Sequence, residues 1–118
     1  MASQHRKHRG YRTQKCVAEY LKRWFPYADS AGAGRQGSDI TGVPFDIEVK
    51  ARTRLDLAGL MRQLRDRESG VVGFGLLRLN GQGPAAIDDW PCVIRFADLA
   101  HLLANQNTTD DLPEGLQP

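Results

Sequence analysis

The sequence of 118 residues has few cysteines and no long apolar run. No stretch approaches the roughly 20 consecutive apolar residues of a membrane-spanning helix. The polar, basic N-terminus also lacks the apolar segment of a secretory signal. Cys16 and Cys92 stand in neither a Cys-x-x-Cys nor a Cys/His zinc pattern, so we expect free thiols. These absences predict a cytoplasmic protein with no membrane partner, and the length suits one domain.

Each end of the chain lacks one sign of charge. Residues 1–15 contain no acid, and residues 105–118 contain no Lys or Arg. Without that tail, 16 basic residues stand against 11 acidic ones. Such an excess suits a polyanion, because each neutralised phosphate releases a counterion. We interpret residues 1–10 as a flexible basic arm, 11–104 as the single domain, and 105–118 as a disordered tail.

The basic start of the chain predicts contacts to DNA phosphates, with a solvated surface as the alternative. The residues expected to make these contacts are Arg6, Lys7, Arg9 and Arg12.

The spacing of apolar residues predicts an α/β fold, a small mixed β-sheet flanked by helices. A first helix over about residues 11–25 carries one apolar stripe, expected to be core, and Pro26 ends it. The stripe comprises Val17, Leu21, Trp24 and Phe25. Strands then follow at 27–31, 38–41 and 45–50, a helix at 55–67, a buried strand at 71–77, a strand at 92–96 and a closing helix with Leu99, Leu102 and Leu103. The predicted order is therefore α-β-β-β-α-β, then β and α.

A glycine-rich loop over residues 32–37 precedes the most informative segment. The loop lacks the Gly-Lys-Ser/Thr ending of a P-loop, which argues against nucleotide binding there. Its glycines instead allow a tight turn or a close approach to a ligand. Arg35, within the loop, is either a bidentate phosphate contact or a solvated arginine.

Residues 38–50 group acidic and basic side chains on one strand face. Alternation sets Phe45, Ile47 and Val49 on one face, and Asp46, Glu48 and Lys50 on the other. If residues 39–41 and 45–50 form a hairpin, Asp39 lies about 5 Å from residues 47–48. Asp39, Glu48 and the carbonyl of Val49 then form a set of oxygen ligands suited to Mg²⁺, with Mn²⁺ as a substitute.

Lys50 follows Glu48 by two residues and points into the same space. Its ammonium is placed to stabilise an attacking hydroxide or a phosphate transition state, while a bound metal activates water. The alternative is a surface strand whose alternating charges are merely solvated. The upstream aspartate, the glycine loop and the basic chain together favour a site for phosphodiester hydrolysis.

Ser38-Asp39 followed by Glu48-Val49-Lys50 resembles the signature of the PD-(D/E)XK nucleases, with Ser38 where the signature has proline. The small size and the stretch 30–40 are similar to the archaeal and bacteriophage Holliday junction resolvases. The resemblance covers about residues 11–80. It implies a restriction-endonuclease-like core, a magnesium-dependent endonuclease acting on branched, four-way DNA, and a homodimer that makes two symmetric cuts.

The resemblance also directs attention to polar residues on the two helices. Family members often carry a glutamate in the first helix. Glu19 is the only acid in that helix and is expected to be solvated. Gln14, nearer the flank of the apolar stripe, is a weak candidate to take the place of that glutamate. Gln63 either orients the water or lysine or is one more solvated residue. Arg52 and Arg54 extend a basic track for DNA beyond Lys50.

Two other functions remain open at this level. The same residues suit a restriction-type or repair nuclease on other DNA. A basic DNA-binding protein without catalysis is the third reading, and the intact set of Asp39, Glu48 and Lys50 argues against it.

Overall fold

The computed structural model describes residues 2–32, 37–51 and 54–106, with side chains of the first helix described from residue 10 onward. The elements are, in chain order, α1 (Ala2–Leu21), β1 (Asp29–Ser30), β2 (Ile40–Thr41), β3 (Asp46–Lys50), α2 (Leu57–Arg67), β4 (Gly73–Leu77), a 3₁₀-helix (Pro84–Asp89), β5 (Cys92–Ile94) and α3 (Phe96–Ala104). The predicted order of helices and strands is therefore found. The chain is an α/β fold with a small mixed sheet and flanking helices.

Helix α1 begins well before the position that the apolar stripe predicts. It starts at Ala2, so residues 2–10, for which a flexible basic arm is predicted, form its first half. The segment has no proline and a single glycine, Gly10, and its arginines, lysine and glutamine are good helix formers. No apolar stripe is needed for such residues to continue a helix that packing stabilises further along.

Trp24 is not a core residue, contrary to the sequence prediction. The last α1 residue is Leu21, and the chain then turns, so position 24 leaves the apolar stripe. Trp24 is 59% exposed and its ring lies 5.5 Å from that of Tyr20. Phe25 remains half-buried, with its ring 6.0 Å from Phe45.

The three-stranded sheet has the order β3-β4-β5. Strands β3 and β4 are parallel, with Asp46 opposite Gly73 and Lys50 opposite Leu77, and α2 forms the crossover between them. Strand β5 is antiparallel to β4. Strand β4 is thus the central strand, as the apolar run over 71–77 predicts.

The predicted hairpin between β2 and β3 is replaced by a different arrangement. Strand β2 pairs with β1, with Ser30 opposite Ile40. The Ser38 hydroxyl instead bridges toward β3, accepting from the backbone N of Ile47 at 3.0 Å and donating to the carbonyl of Ile40 at 2.7 Å. Because this side chain replaces ladder bonds, no regular hairpin forms, yet Asp39 still lies beside β3 through its N–H to the Ile47 carbonyl at 2.8 Å.

The core lies on both faces of β3 and β4. On the α1 face, Val17, Ala18, Ile40, Ile47 and Trp90 are buried together. On the α2 face, a second cluster contains Leu60, Leu64 and Leu77. Helix α2 approaches β4 closely, because a Cβ on Gly75 would lie 2.4 Å from Cδ2 of Leu60. The alternation predicted for β3 is thus found, with its charged side chains toward α2.

Among the described helices, none combines the length and apolar character that crossing a bilayer requires.

Candidate functional site

The acidic side chains of β3 are buried against α2. The side chains of Asp46 and Glu48 are only 3% and 8% exposed. A solvated surface strand would leave both carboxylates in water, so that interpretation of the motif is wrong. Buried charges require partners, since an isolated buried charge is very costly.

Arg67, in the last turn of α2, is the main partner of both carboxylates. Its Nε and Nη2 donate to the two oxygens of Asp46 at 3.0 and 2.6 Å. Its Nη1 donates to Oε2 of Glu48 and to the carbonyl of Gly37, both at 2.7 Å. Burial alone would lower the pKa of Arg67, but hydrogen bonds and charge interactions with Glu48 and Asp46 outweigh it and raise that pKa. The guanidinium therefore links β3, α2 and the backbone at Gly37.

The second oxygen of Glu48 contacts the two other residues predicted for the site. Oε1 lies 3.1 Å from Nζ of Lys50 and accepts from Nε2 of Gln63, also at 3.1 Å. Lys50 reaches it from the same strand face, and Gln63 reaches it from α2. Gln63 is exposed as a residue, yet its amide is directed at the carboxylate, which argues against a purely solvated role.

Asp39 approaches from the free edge of β3. Its Oδ2 accepts from the backbone N of Val49 at 2.8 Å. Burial raises the pKa of Asp39, and Glu48 adds to this, while the Val49 hydrogen bond, Lys50 and Arg67 partly oppose it. In a parallel ladder, alternate residues direct both backbone groups away from the neighbouring strand. The Val49 carbonyl is therefore on the same side of β3 as Asp39.

These oxygen donors are of the chemical type that magnesium takes as ligands. The described part of the chain contains no group of three or more His, Cys, Asp or Glu side chains arranged for a metal. Magnesium does not need one, because it typically takes one or two carboxylates and keeps several waters. Asp39, Glu48 and the Val49 carbonyl supply such a set, although both oxygens of Glu48 already contact Arg67, Lys50 or Gln63. A cation that binds here must displace or share one of these contacts.

A cleft of about 290 Å³ opens beside Lys50 and Gln63. Arg54, one of the two residues of the predicted basic track, lines this cleft with Lys50. The N-terminus of α2 forms another wall, where the Asp56 side chain accepts from the backbone N of Gly59 at 2.9 Å. The cleft lies near the carboxyl end of β3, which is where parallel α/β sheets commonly bind ligands.

The other predicted DNA contacts are distributed more widely. Arg12 lies on α1, in a separate groove on the other side of the sheet. Arg6, Lys7 and Arg9 belong to the first half of α1, and their side chains lie outside the described part of the structure. Arg35 and Arg52 also lie outside the described residues.

The two α1 residues considered for the site behave differently. Glu19 is 71% exposed at its side chain and pairs with Lys22 at 2.7 Å, as expected for a solvated residue. Gln14 is half-buried on the inner face of α1. Its Oε1 is buried and has no hydrogen-bond partner within the described residues. An unsatisfied buried acceptor is uncommon, so Gln14 stays a candidate for a polar residue with a role in the site.

The sequence analysis did not predict that Asp46 is buried as a partner of Arg67. It also did not identify Arg67 as a residue of the site. One signal was present for Arg67. It follows Leu60 by seven residues and Leu64 by three, so it continues the apolar stripe that α2 buries. An arginine at such a position requires a buried acidic partner, and the β3 carboxylates opposite α2 were the available ones.

The comparisons with known proteins gave no match among family models, curated proteins or solved structures.

Proposed function

We propose that this chain is a magnesium-dependent DNA endonuclease of the PD-(D/E)XK type, most similar in plan to the Holliday junction resolvases. One observation carries the proposal: Lys50 and Gln63 both contact Glu48 beside a cleft, and Asp39 accepts a hydrogen bond from the intervening Val49. The order α-β-β-β-α-β, with β3 and β4 parallel across α2, supports a restriction-endonuclease-like core. Partners are DNA and a second copy of the chain.

The residues have distinct parts in the proposed reaction. Asp39, Glu48 and the Val49 carbonyl hold Mg²⁺, which when bound lowers the pKa of water and offsets phosphate charge. Gln63 donates to Glu48 and thereby fixes the carboxylate. Lys50 contributes a positive charge, held by Glu48, next to the reacting phosphate. Arg54 binds a neighbouring phosphate at the mouth of the cleft.

The test uses labelled linear, flap and four-way DNA, each incubated with the protein and either Mg²⁺ or EDTA. We expect Mg²⁺-dependent cleavage, fastest on the four-way substrate and paired across the junction. Equal cleavage of all substrates would favour the alternative, a restriction-type or repair nuclease. Binding to all three without any cleavage would refute the enzyme and leave a basic DNA-binding protein.

The Lys50→Met variant is expected to cleave slowly but still fold, because Arg67 remains to neutralise Glu48. Loss of one preorganised positive group typically costs about 2–4 kcal/mol of transition-state stabilisation. Single-turnover cleavage measures this loss, and thermal unfolding measures stability. The matched control is Arg54→Met, at the same cleft but without a contact to Glu48, which should weaken DNA binding more than the chemical step. A Lys50→Met protein with the parental single-turnover rate would contradict the assignment.

Homodimer formation is expected through α3. Phe96, Leu99 and Leu103 of this helix are 82%, 40% and 58% exposed, and α3 has no buried residue. Exposed apolar groups on one helix are typical of a surface that another chain covers, and a two-fold dimer is the commonest closed arrangement. Two active sites would then permit two symmetric cuts.

Light scattering at micromolar concentration should give about twice the 13.1 kDa chain mass. The double variant Leu99→Glu/Leu103→Glu should be monomeric, whereas Tyr27→Glu, an exposed residue far along the chain from α3, should remain dimeric. A monomeric parent would remove this part of the proposal.

A further inference from the structure

A second groove, of about 780 Å³, lies between α1 and the loop after β4. Arg12 and Lys15 line it from α1, and Arg78 and residues 81–83 line it from the segment after β4. Helix α1 packs on the Ile47 face of β3, whereas the Glu48 cleft lies on the α2 face. The two depressions are therefore on opposite sides of the sheet.

Arg78 is held in a fixed orientation in this groove. Its Nε donates to the carbonyl of Gln82 at 2.8 Å, and its Nη1 donates to Oγ1 of Thr13 at 3.1 Å. Its guanidinium also lies 5.6 Å from the ring centre of Trp90, within the range of a cation–π contact. An ordered guanidinium loses little further entropy when it binds an anion.

The loop that faces Arg78 is closed by its own hydrogen bonds. The Gln82 side chain accepts from the backbone N of Leu79 at 3.0 Å and donates to the carbonyl of Asp89 at 3.3 Å. Gly81 has a φ of +86°, which favours glycine, and a Cβ on Gly81 or Gly83 would meet open space. The backbone at the groove is therefore open to a ligand.

The groove is strongly positive. Among the residues that the structure describes, the lining side chains include three cations and no carboxylate. A shallower depression of about 410 Å³ continues it along α1 past Lys15 to Arg23. Glu19, which also lines this continuation, pairs with Lys22 at 2.7 Å. The charge and the exposed glycine backbone suit a row of phosphates better than a single small anion.

We propose that this groove binds the phosphodiester backbone of a second DNA segment, separate from the strand that enters the Glu48 cleft. This inference rests on the proposed nuclease function. The two sites approach each other at the carboxyl ends of β3 and β4, since the backbone N of Arg78 donates to the carbonyl of Lys50 at 2.8 Å. A straight duplex lying in the cleft does not turn onto the opposite face, whereas a bent or branched DNA does. The groove therefore gives the protein its preference for branched over linear DNA.

The test compares DNA binding in EDTA, so that it does not depend on cleavage. Fluorescence anisotropy gives affinities of the full chain for a four-way junction and for a linear duplex over a range of salt concentrations. The double variant Arg12→Gln/Lys15→Gln should bind the junction about tenfold or more weakly, with a salt slope lower by up to about 2. Its affinity for the linear duplex should change little.

The matched control is Arg62→Gln/Arg65→Gln, which removes two exposed charges from α2. It should keep the parental ratio of junction to duplex affinity, and circular dichroism should give all variants the parental melting temperature. An unchanged junction affinity, or equal losses on both DNAs, would overturn the groove assignment. If the parent cleaves no DNA and the groove variant still loses junction binding, the proposed nuclease fails while the groove stands.

Discussion

Replacing Asp39 with Asn is expected to abolish DNA cleavage and, without metal, to leave the fold at least as stable as the parent. Asparagine keeps an oxygen that can accept from the backbone N of Val49, the bond seen at 2.8 Å. It loses the negative charge on which a magnesium ligand depends. We expect the variant to lose activity while its stability is retained or increased. This combination is typical of a residue whose role is functional and not structural.

The sign of the stability change follows from the raised pKa of Asp39. Burial favours the neutral acid, so the folded state binds this proton more tightly than the unfolded state does. The stability associated with this proton is fully present below the unfolded pKa and is lost as pH rises through the folded pKa. At neutral pH, Asp39 therefore reduces stability, and asparagine removes that cost.

Urea unfolding in EDTA at acidic and at neutral pH measures this difference. The free energy of unfolding of Asp39→Asn should increase relative to that of the parent as the pH rises. Asp66→Asn, which removes the same charge at an exposed position of α2, should show no such increase. Cleavage at the parental rate by Asp39→Asn would contradict the site. Loss of stability at neutral pH would instead identify Asp39 as a structural residue.

The alternation of residues 45–50 predicted correctly which face of β3 each side chain occupies. It did not predict which segment lies beside the strand. A period of two assigns Ile47 to one core and Glu48 to the opposite face, whatever pairs with the strand. The segment that pairs with β3 depends on individual side chains, which the alternation does not specify. Here the hydroxyl of Ser38 replaces part of a ladder, so Asp39 reaches Val49 without a regular hairpin.

Contacts between residues far apart along the chain could not be predicted from local sequence patterns. Trp24 continues the α1 stripe in sequence, but the chain leaves the helix after Leu21 and the indole becomes exposed. Arg67 lies 19 residues from Glu48 along the chain. Only the parallel crossover through α2 brings the two side chains together, because it aligns the last turn of the helix with the start of β3.

Replacing Arg67 with Met is expected to destabilise the fold strongly. The Arg67 side chain is 16% exposed, and among the described residues it is the partner of Asp46 and one of two cationic partners of Glu48. Removing one member of a buried ion pair leaves an uncompensated charge and typically costs about 3–5 kcal/mol. Arg67→Lys keeps the charge but not the planar fork that spans both carboxylates, so an intermediate loss is expected. Urea unfolding measures these losses, and Arg65→Met in the same helical turn is the exposed control, expected within about 0.5 kcal/mol of the parent.

The response to Mg²⁺ should show whether Arg67 acts at the proposed metal site or only holds β3 against α2. In the parent, the guanidinium already neutralises the Oε2 side of Glu48 at 2.7 Å. In Arg67→Met that oxygen is free, so a divalent cation can take over the neutralisation, and ligand binding to the folded state raises its stability. Added Mg²⁺ should therefore raise the melting temperature of Arg67→Met more than that of the parent, and should not do so when Glu48→Gln is combined with it. Equal magnesium shifts in all three proteins would show that Glu48 is not a metal ligand. Arg67 would then hold β3 against α2 as a structural ion pair alone.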